Sequence, residues 1–209
     1  MILPKLYPIT DVRLSGLSHA EQLIHLRAGG ARFIQLREKH LSPREFYDAA
    51  EAALDIARER GVRLIINDRA DIALALGADG EHLGQDDLDP SAARRLLGER
   101  FIIGYSTHSI AQAIEAARLP LDYIAIGPIF DTRTKENPDA VVGLDGLRRA
   151  KEAVAARGIP LVAIGGITSD MARSALDAGA DSVAVISALL DAPEMIKQRT
   201  REFITRLRG

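Results

Sequence analysis

Short apolar runs recur along the chain, separated by longer stretches with helical periodicity. The runs cover residues 6–9, 33–36, 64–66, 81–83, 101–103, 123–126, 161–164 and 182–185. Most are nearly continuous in their apolar character, as a strand buried on both faces should be. Between them the pattern predicts helices near 18–28, 43–60, 70–76, 90–97, 109–118, 144–157 and 169–178, with a last one over 193–207. Ser18 with Glu21 and Ser42 with Glu45 have the spacing of a capping box, the second followed by Pro43 at the first helical position. Asp89-Pro90 reads as a cap followed by the same proline. Glycines at 29–30, 77 and 179 stand just past a helix and just before a strand.

Eight strand–helix units imply a parallel sheet covered on its faces. The expected fold is therefore a single-domain (βα)8 TIM barrel over residues 1–209, with short loops, and a doubly wound open sheet is the alternative. No linker or low-complexity tract interrupts the pattern.

Composition narrows the function classes. Nearly half the residues are apolar, enough for a sizeable core, and the net charge of -2 gives no reason to expect nucleic acid or an anionic membrane as partner. The absence of cysteine excludes disulfides and thiolate metal sites. No apolar run approaches the ~20 residues of a membrane span, and no secretory signal is visible near Met1, so a soluble, cytoplasmic protein is expected. A homo-oligomer is compatible with the chain.

In such a barrel the active site lies at the carboxyl ends of the strands, and the unusual residues gather there. Gln35, Arg37 and Lys39 alternate after the second apolar run, so along an extended strand they would share one side. Polar groups on a buried side, two of them cationic, call for an anion. Asn67 and Asp68 follow the third run; Gln85, Asp86 and Asp87 the fourth; Ser106, Thr107 and His108 the fifth. The sixth leads into 127–135 with Thr132, Thr134 and Lys135, the seventh into Gly165-Gly166, and the eighth into Ile186-Ser187.

Each group also has a plainer reading. Arg37 and Lys39 could pair with Glu38 or Glu45, and Asp68 could cap a helix or pair with Arg69. Of Asp86 and Asp87, one is expected to point inward. His82 suits a satisfied polar group inside the barrel and His108 a hydrogen-bonded rim residue, while His19, His25 and His40 are placed on surfaces. Taken jointly, two carboxylates on neighbouring strand ends suit a hard cation such as Mg2+, which keeps its waters and takes substrate phosphate oxygens. Arg37, Lys39 and Lys135 would balance a diphosphate. Gly165-Gly166, read as opening a helix, together with Ile186-Ser187, would cradle a second phosphate.

The segments 35–39, 66–71, 82–87, 106–108, 127–130 with 132–135, and 164–167 together resemble the thiamine phosphate synthase family, in order and over almost the whole chain. The resemblance implies a transferase of thiamine biosynthesis, joining 4-amino-2-methyl-5-(diphosphooxymethyl)pyrimidine to a thiazole phosphate with release of diphosphate. It implies that Gln35, Arg37, Lys39, Asn67, Ser106 and Lys135 bind the pyrimidine diphosphate. Of these, Arg37, Lys39, Ser106 and Lys135 would act in catalysis. It further implies that Asp68 and Asp87 hold Mg2+, and that Thr132, Thr134, Gly166, Ile186 and Ser187 hold the thiazole phosphate. Asp131 and Tyr105 are less typical of the family. The competing readings are a thiazole tautomerase-like isomerase, with His108 as its acid–base group, and a non-catalytic paralogue that binds thiazole or thiamine phosphate. The 128–142 loop is expected to close over the substrates, a fixed surface loop being the alternative.

Overall fold

The structure is a computed structural model and describes residues 1–132 and 139–208. All eight predicted strands are present: β1 (Leu6–Pro8), β2 (Phe33–Leu36), β3 (Arg63–Asn67), β4 (Gly80–Leu83), β5 (Ile102–Thr107), β6 (Tyr123–Ile126), β7 (Leu161–Ile164) and β8 (Ser182–Val185). They form one parallel sheet in the order β1-β8-β7-β6-β5-β4-β3-β2. The remaining seam is joined by a bridge between Ile9 and Gln35 and by the Thr10 N–H donating to the Gln35 carbonyl at 2.9 Å. The sheet thus closes into the barrel expected from the alternating pattern.

The helices are α1 (Val12–Ser15), α2 (His19–Gly29), α3 (Pro43–Arg60), α4 (Ala70–Leu76), α5 (Pro90–Leu97), α6 (Ile110–Ala116), α7 (Gly143–Val154), α8 (Ala172–Asp177), α9 (Ser187–Leu190) and α10 (Ile196–Arg208). Both capping boxes form as their spacing predicts, and Asp89 caps α5 through the N–H groups of Ser91 and Ala92. The short helices α1 and α9 have no counterpart in the sequence pattern, because four residues are too few to show a helical period. Gly165-Gly166 does not open a helix, contrary to expectation: α8 begins only at Ala172. Between them Thr168 accepts from the Met171 and Ala172 N–H groups through its backbone carbonyl, a turn that delays the helix.

Two cores follow from strand alternation. The outward-facing residues pack under the helices, with Leu36, Ile66, Ile124, Ala163 and Val183 among them. The inward-facing residues fill the lumen, where Tyr7, Phe33, Ile65, Tyr123, Val162 and Ala184 meet. Tyr7, Phe33 and Tyr123 touch edge to face, with ring centroids 4.7–6.3 Å apart. Such packing plugs the barrel below the strand ends and confines any ligand to its mouth.

Candidate active site

The mouth is built where β2, β3 and β4 end. β2 stops at Leu36, so Lys39 does not reach the mouth by strand alternation. A turn delivers it instead. Glu38 accepts the N–H groups of Lys39 at 2.7 Å, His40 at 2.6 Å and Leu41 at 3.3 Å. Burial acts to raise the Glu38 pKa, but these bonds outweigh it and hold the carboxylate below its ordinary range. The folded turn brings the Lys39 ammonium onto the Asp68 carboxylate. Glu38 was not singled out by sequence reasoning except as a surface partner for its neighbours.

Beneath the turn, His19 lies buried, contrary to its predicted surface placement. It bonds Thr10 at 2.8 Å and Glu38 at 3.4 Å, a role visible only once α2 packs beside β2. Arg37 is turned toward Asp11, 3.6 Å away, and so is not brought to the aspartates beyond β3 and β4.

Asp68 follows β3 directly and has a positive φ of 65°, the one non-glycine residue to do so among the described residues. Aspartate tolerates this conformation at modest cost, and a strained backbone of this kind is common at ligand sites. Asp87, in the turn after β4, accepts the Gly84 N–H at 2.6 Å, while Asp86 is exposed. Of that adjacent pair, the half-buried Asp87 is the one that joins Asp68. The two carboxyls are close enough to share a hydrogen bond. Burial, and then the Asp87 side chain, raise the Asp68 pKa even against the opposing pull of Lys39.

Inside the mouth, Gln35, Asn67 and Ser106 face the lumen from β2, β3 and β5. Gln35 donates to the Tyr7 hydroxyl at 3.1 Å, and Ser106 bonds His82 at 2.8 Å. His82 is buried and its other ring nitrogen meets the Tyr123 hydroxyl at 2.9 Å, so it is satisfied within the barrel as expected. Burial depresses its pKa to about 4. Tyr7 and Tyr123 were missed as site-supporting residues; the available signal was a large phenol inside an otherwise apolar strand, which needs a partner when buried.

On the other side of the mouth, Gly165 and Gly166 both have positive φ, and a side chain on Gly166 would meet the Asp131 carbonyl oxygen at 2.3 Å. The pair is thereby packed against the start of the 128–142 loop. Ile186 and Ser187 follow β8 at the beginning of α9. His108 bonds the Gly127 carbonyl at 3.0 Å and stands 3.3 Å from Asp139, joining the two ends of the same loop. Thr132 lies on its described part; Thr134 and Lys135 lie outside the described residues.

No group of three or more His, Cys, Asp or Glu side chains suited to a metal occurs among the described residues. Asp68 and Asp87 alone supply two hard oxygen donors, a set that fits an ion completing its shell with water and phosphate oxygens. A cation between two carboxylates would also offset the burial, and then the Asp87 repulsion, that raise the Asp68 pKa.

A family profile described as Thiamine monophosphate synthase matches residues 6–189. Thiamine-phosphate synthase of Koribacter versatilis is 47% identical over 210 residues, covering 97% of this chain and 95% of the relative. That of Chloroflexus aurantiacus is 45% identical over 192 residues, covering 91% and 87%. The solved structure of thiamine phosphate pyrophosphorylase from Pyrococcus furiosus superposes with a TM-score of 0.87 at 38% identity, covering 98% of this chain and 95% of that one. The barrel, the motifs at its mouth and these relatives agree, and the chain belongs to the thiamine monophosphate synthase family.

Proposed function

We propose that the protein couples an aminopyrimidine-methyl diphosphate to a thiazole phosphate, giving thiamine phosphate and diphosphate with the help of Mg2+. The observation that carries this reading is the convergence of Lys39, Asp68 and Asp87 from three successive strand ends. Two half-buried carboxylates beside an ammonium make a poor anion site without a metal and a good one with it. Asp68 and Asp87 would hold Mg2+, whose chemistry is to neutralise the charge that develops on a departing diphosphate.

The chain's own groups do the rest. Lys39, and Lys135 from the loop after β6, add positive charge against the diphosphate oxygens. Arg37 reaches that anion by leaving Asp11, an exchange open to a long side chain at a partly exposed ion pair. Gln35, Asn67 and Ser106 hold the pyrimidine from the lumen side. The backbone at Gly166, with Ile186, Ser187, Thr132 and Thr134, holds the thiazole phosphate opposite. The methylene C–O bond breaks with its electron pair leaving on diphosphate, and the thiazole nitrogen forms the new C–N bond with its lone pair. No proton moves in either event, so the site needs alignment and charge rather than a strong base. The plugged lumen closes the inner side of the site to water.

Incubation of the purified protein with both substrates and Mg2+, followed by separation of thiamine phosphate, tests the reading. Product that forms only when both substrates are present is expected, and Asp68→Ala is expected to lower the rate by about a hundredfold or more. Binding of both substrates without turnover would reject it.

A further inference from the structure

A continuous chain of buried hydrogen bonds crosses the lumen from β2 to β5. Gln35 Nε2 meets Tyr7 Oη at 3.1 Å, and Tyr7 Oη meets Tyr123 Oη at 2.8 Å. Tyr123 Oη meets His82 Nδ1 at 2.9 Å, and His82 Nε2 meets Ser106 Oγ at 2.8 Å. Tyr7, Gln35, His82 and Tyr123 are buried, while Ser106 is only half-buried at the mouth. Gly104 makes room for the chain, because a side chain there would come within 2.0 Å of Tyr123 Cζ.

The two ends of this chain are both residues assigned to the pyrimidine diphosphate, so the inference rests on that reading. The order of protons along it is set by its first donor. An amide nitrogen only donates, so Tyr7 accepts from Gln35, and its own buried hydrogen finds an acceptor along the chain only by going to Tyr123. Tyr123 in turn gives its hydrogen to His82 Nδ1. A neutral imidazole then carries its single hydrogen on Nε2 and donates it to Ser106 Oγ. Both ring nitrogens of His82 meet hydroxyls and neither meets a carboxylate, so its partners give no reason for a charged ring. With a lone pair so engaged, the Ser106 hydroxyl hydrogen points away from His82 and into the mouth. The reverse order would make Ser106 give its hydrogen to His82 and present only lone pairs to a ligand.

We infer that His82 and Tyr123 are positioning residues that fix Ser106 as a hydrogen-bond donor toward the bound pyrimidine diphosphate. Neither touches the ligand; both act through the orientation of one hydroxyl. A donor at that point suits the anionic diphosphate or an unprotonated ring nitrogen, whereas a lone pair there would repel either. The relay also explains why two tyrosines and a histidine, rather than apolar side chains, fill this part of the barrel interior.

Nitrogen NMR of the protein labelled at histidine reads the tautomer without any need for turnover. The Nε2–H form is expected for His82, and the Nδ1–H form or the imidazolium would overturn the inference. The second arm is a double-mutant cycle on coupling of the two substrates, run once the wild-type protein has shown turnover. Tyr123→Phe is expected to lower kcat/KM for the pyrimidine diphosphate about tenfold, the effect of losing one well-directed hydrogen bond to a charged ligand. In a Ser106→Ala background the same substitution should change kcat/KM by less than about twofold, because the group it acts through is gone. Equal tenfold losses in both backgrounds would show that Tyr123 matters only for packing, and would overturn the inference. A wild-type protein with no turnover rejects the proposed function instead, and leaves the tautomer measurement to decide this point. Should Tyr123→Phe not fold, that measurement on the wild-type protein decides it as well.

Discussion

Glu81 has no exposed surface, and neither of its carboxyl oxygens has a hydrogen-bond partner. It points outward from β4 into the layer under the helices, opposite in face to its neighbour His82. Burial, then the charges of Asp87, Asp68 and Asp71, raise its pKa from 4.5 to about 8. The native state therefore keeps a proton that the unfolded chain gives up, and stability falls as pH rises from about 4.5 to about 8. Glu81→Gln keeps the shape and removes the proton. It is expected to raise unfolding free energy by roughly 2 kcal/mol at pH 8 and by little at pH 4.5, read by denaturant titration at both pH values. An equal effect at the two pH values would mean that Glu81 is not held neutral. The sequence offered a warning here, a glutamate in a strand otherwise built for burial, yet only the closed sheet shows which face it takes. Glu38 tells the complementary story. Its carboxylate binds three backbone N–H groups, and Glu38→Ala should loosen the turn that places Lys39. About a tenfold rise in KM for the pyrimidine diphosphate, with the global fold kept, is the expected outcome in steady-state kinetics.

At the level of elements, the strands were legible because burial on both faces leaves short unbroken apolar runs, and the helices because their caps are written in serine, aspartate and proline. β5 extends to Thr107, beyond the expected end at residue 103, because Gly104 and Ser106 are lumen residues whose polarity hid them from an apolar count. The helices α1 and α9 were invisible for lack of length. Gly165-Gly166 was singled out as a phosphate cradle, and the structure adds a packing demand on the pair. Its glycines are required first by the close approach of the loop after β6, where the Asp131 oxygen would lie 2.3 Å from a Cβ on Gly166. Gly166→Ala is accordingly expected to displace that loop and to cost more than about 2 kcal/mol of stability, since a positive φ and a backbone clash both oppose the methyl group. Thermal unfolding together with KM for the thiazole phosphate checks it; an unchanged KM would remove Gly166 from the phosphate site.

For the molecule as a whole, the informative feature is the difference between the two ends of one barrel. The lumen is filled by Tyr7, Phe33 and Tyr123, and the groups capable of chemistry stand beyond them at the strand ends. That asymmetry was readable in the sequence, because strand order alone fixes which residues reach the same rim. What was not readable is how the rim is wired: Lys39 by a turn rather than a strand, Arg37 drawn aside to Asp11, and Ser106 tied through the interior to Gln35. Such links join residues far apart in sequence and depend on side-chain directions that no local pattern carries. The claim on which the functional account depends is that Asp68 and Asp87 act together on a metal-bound diphosphate. Its most direct test is the rate of diphosphate release from the two substrates as free Mg2+ is varied, compared between the wild-type protein and Asp87→Ala. The wild-type rate is expected to saturate with Mg2+ and to vanish on chelation, and the variant to be slower by about a hundredfold at every concentration; an undiminished rate with the metal chelated, or in the variant, would contradict joint action of the two aspartates on the metal.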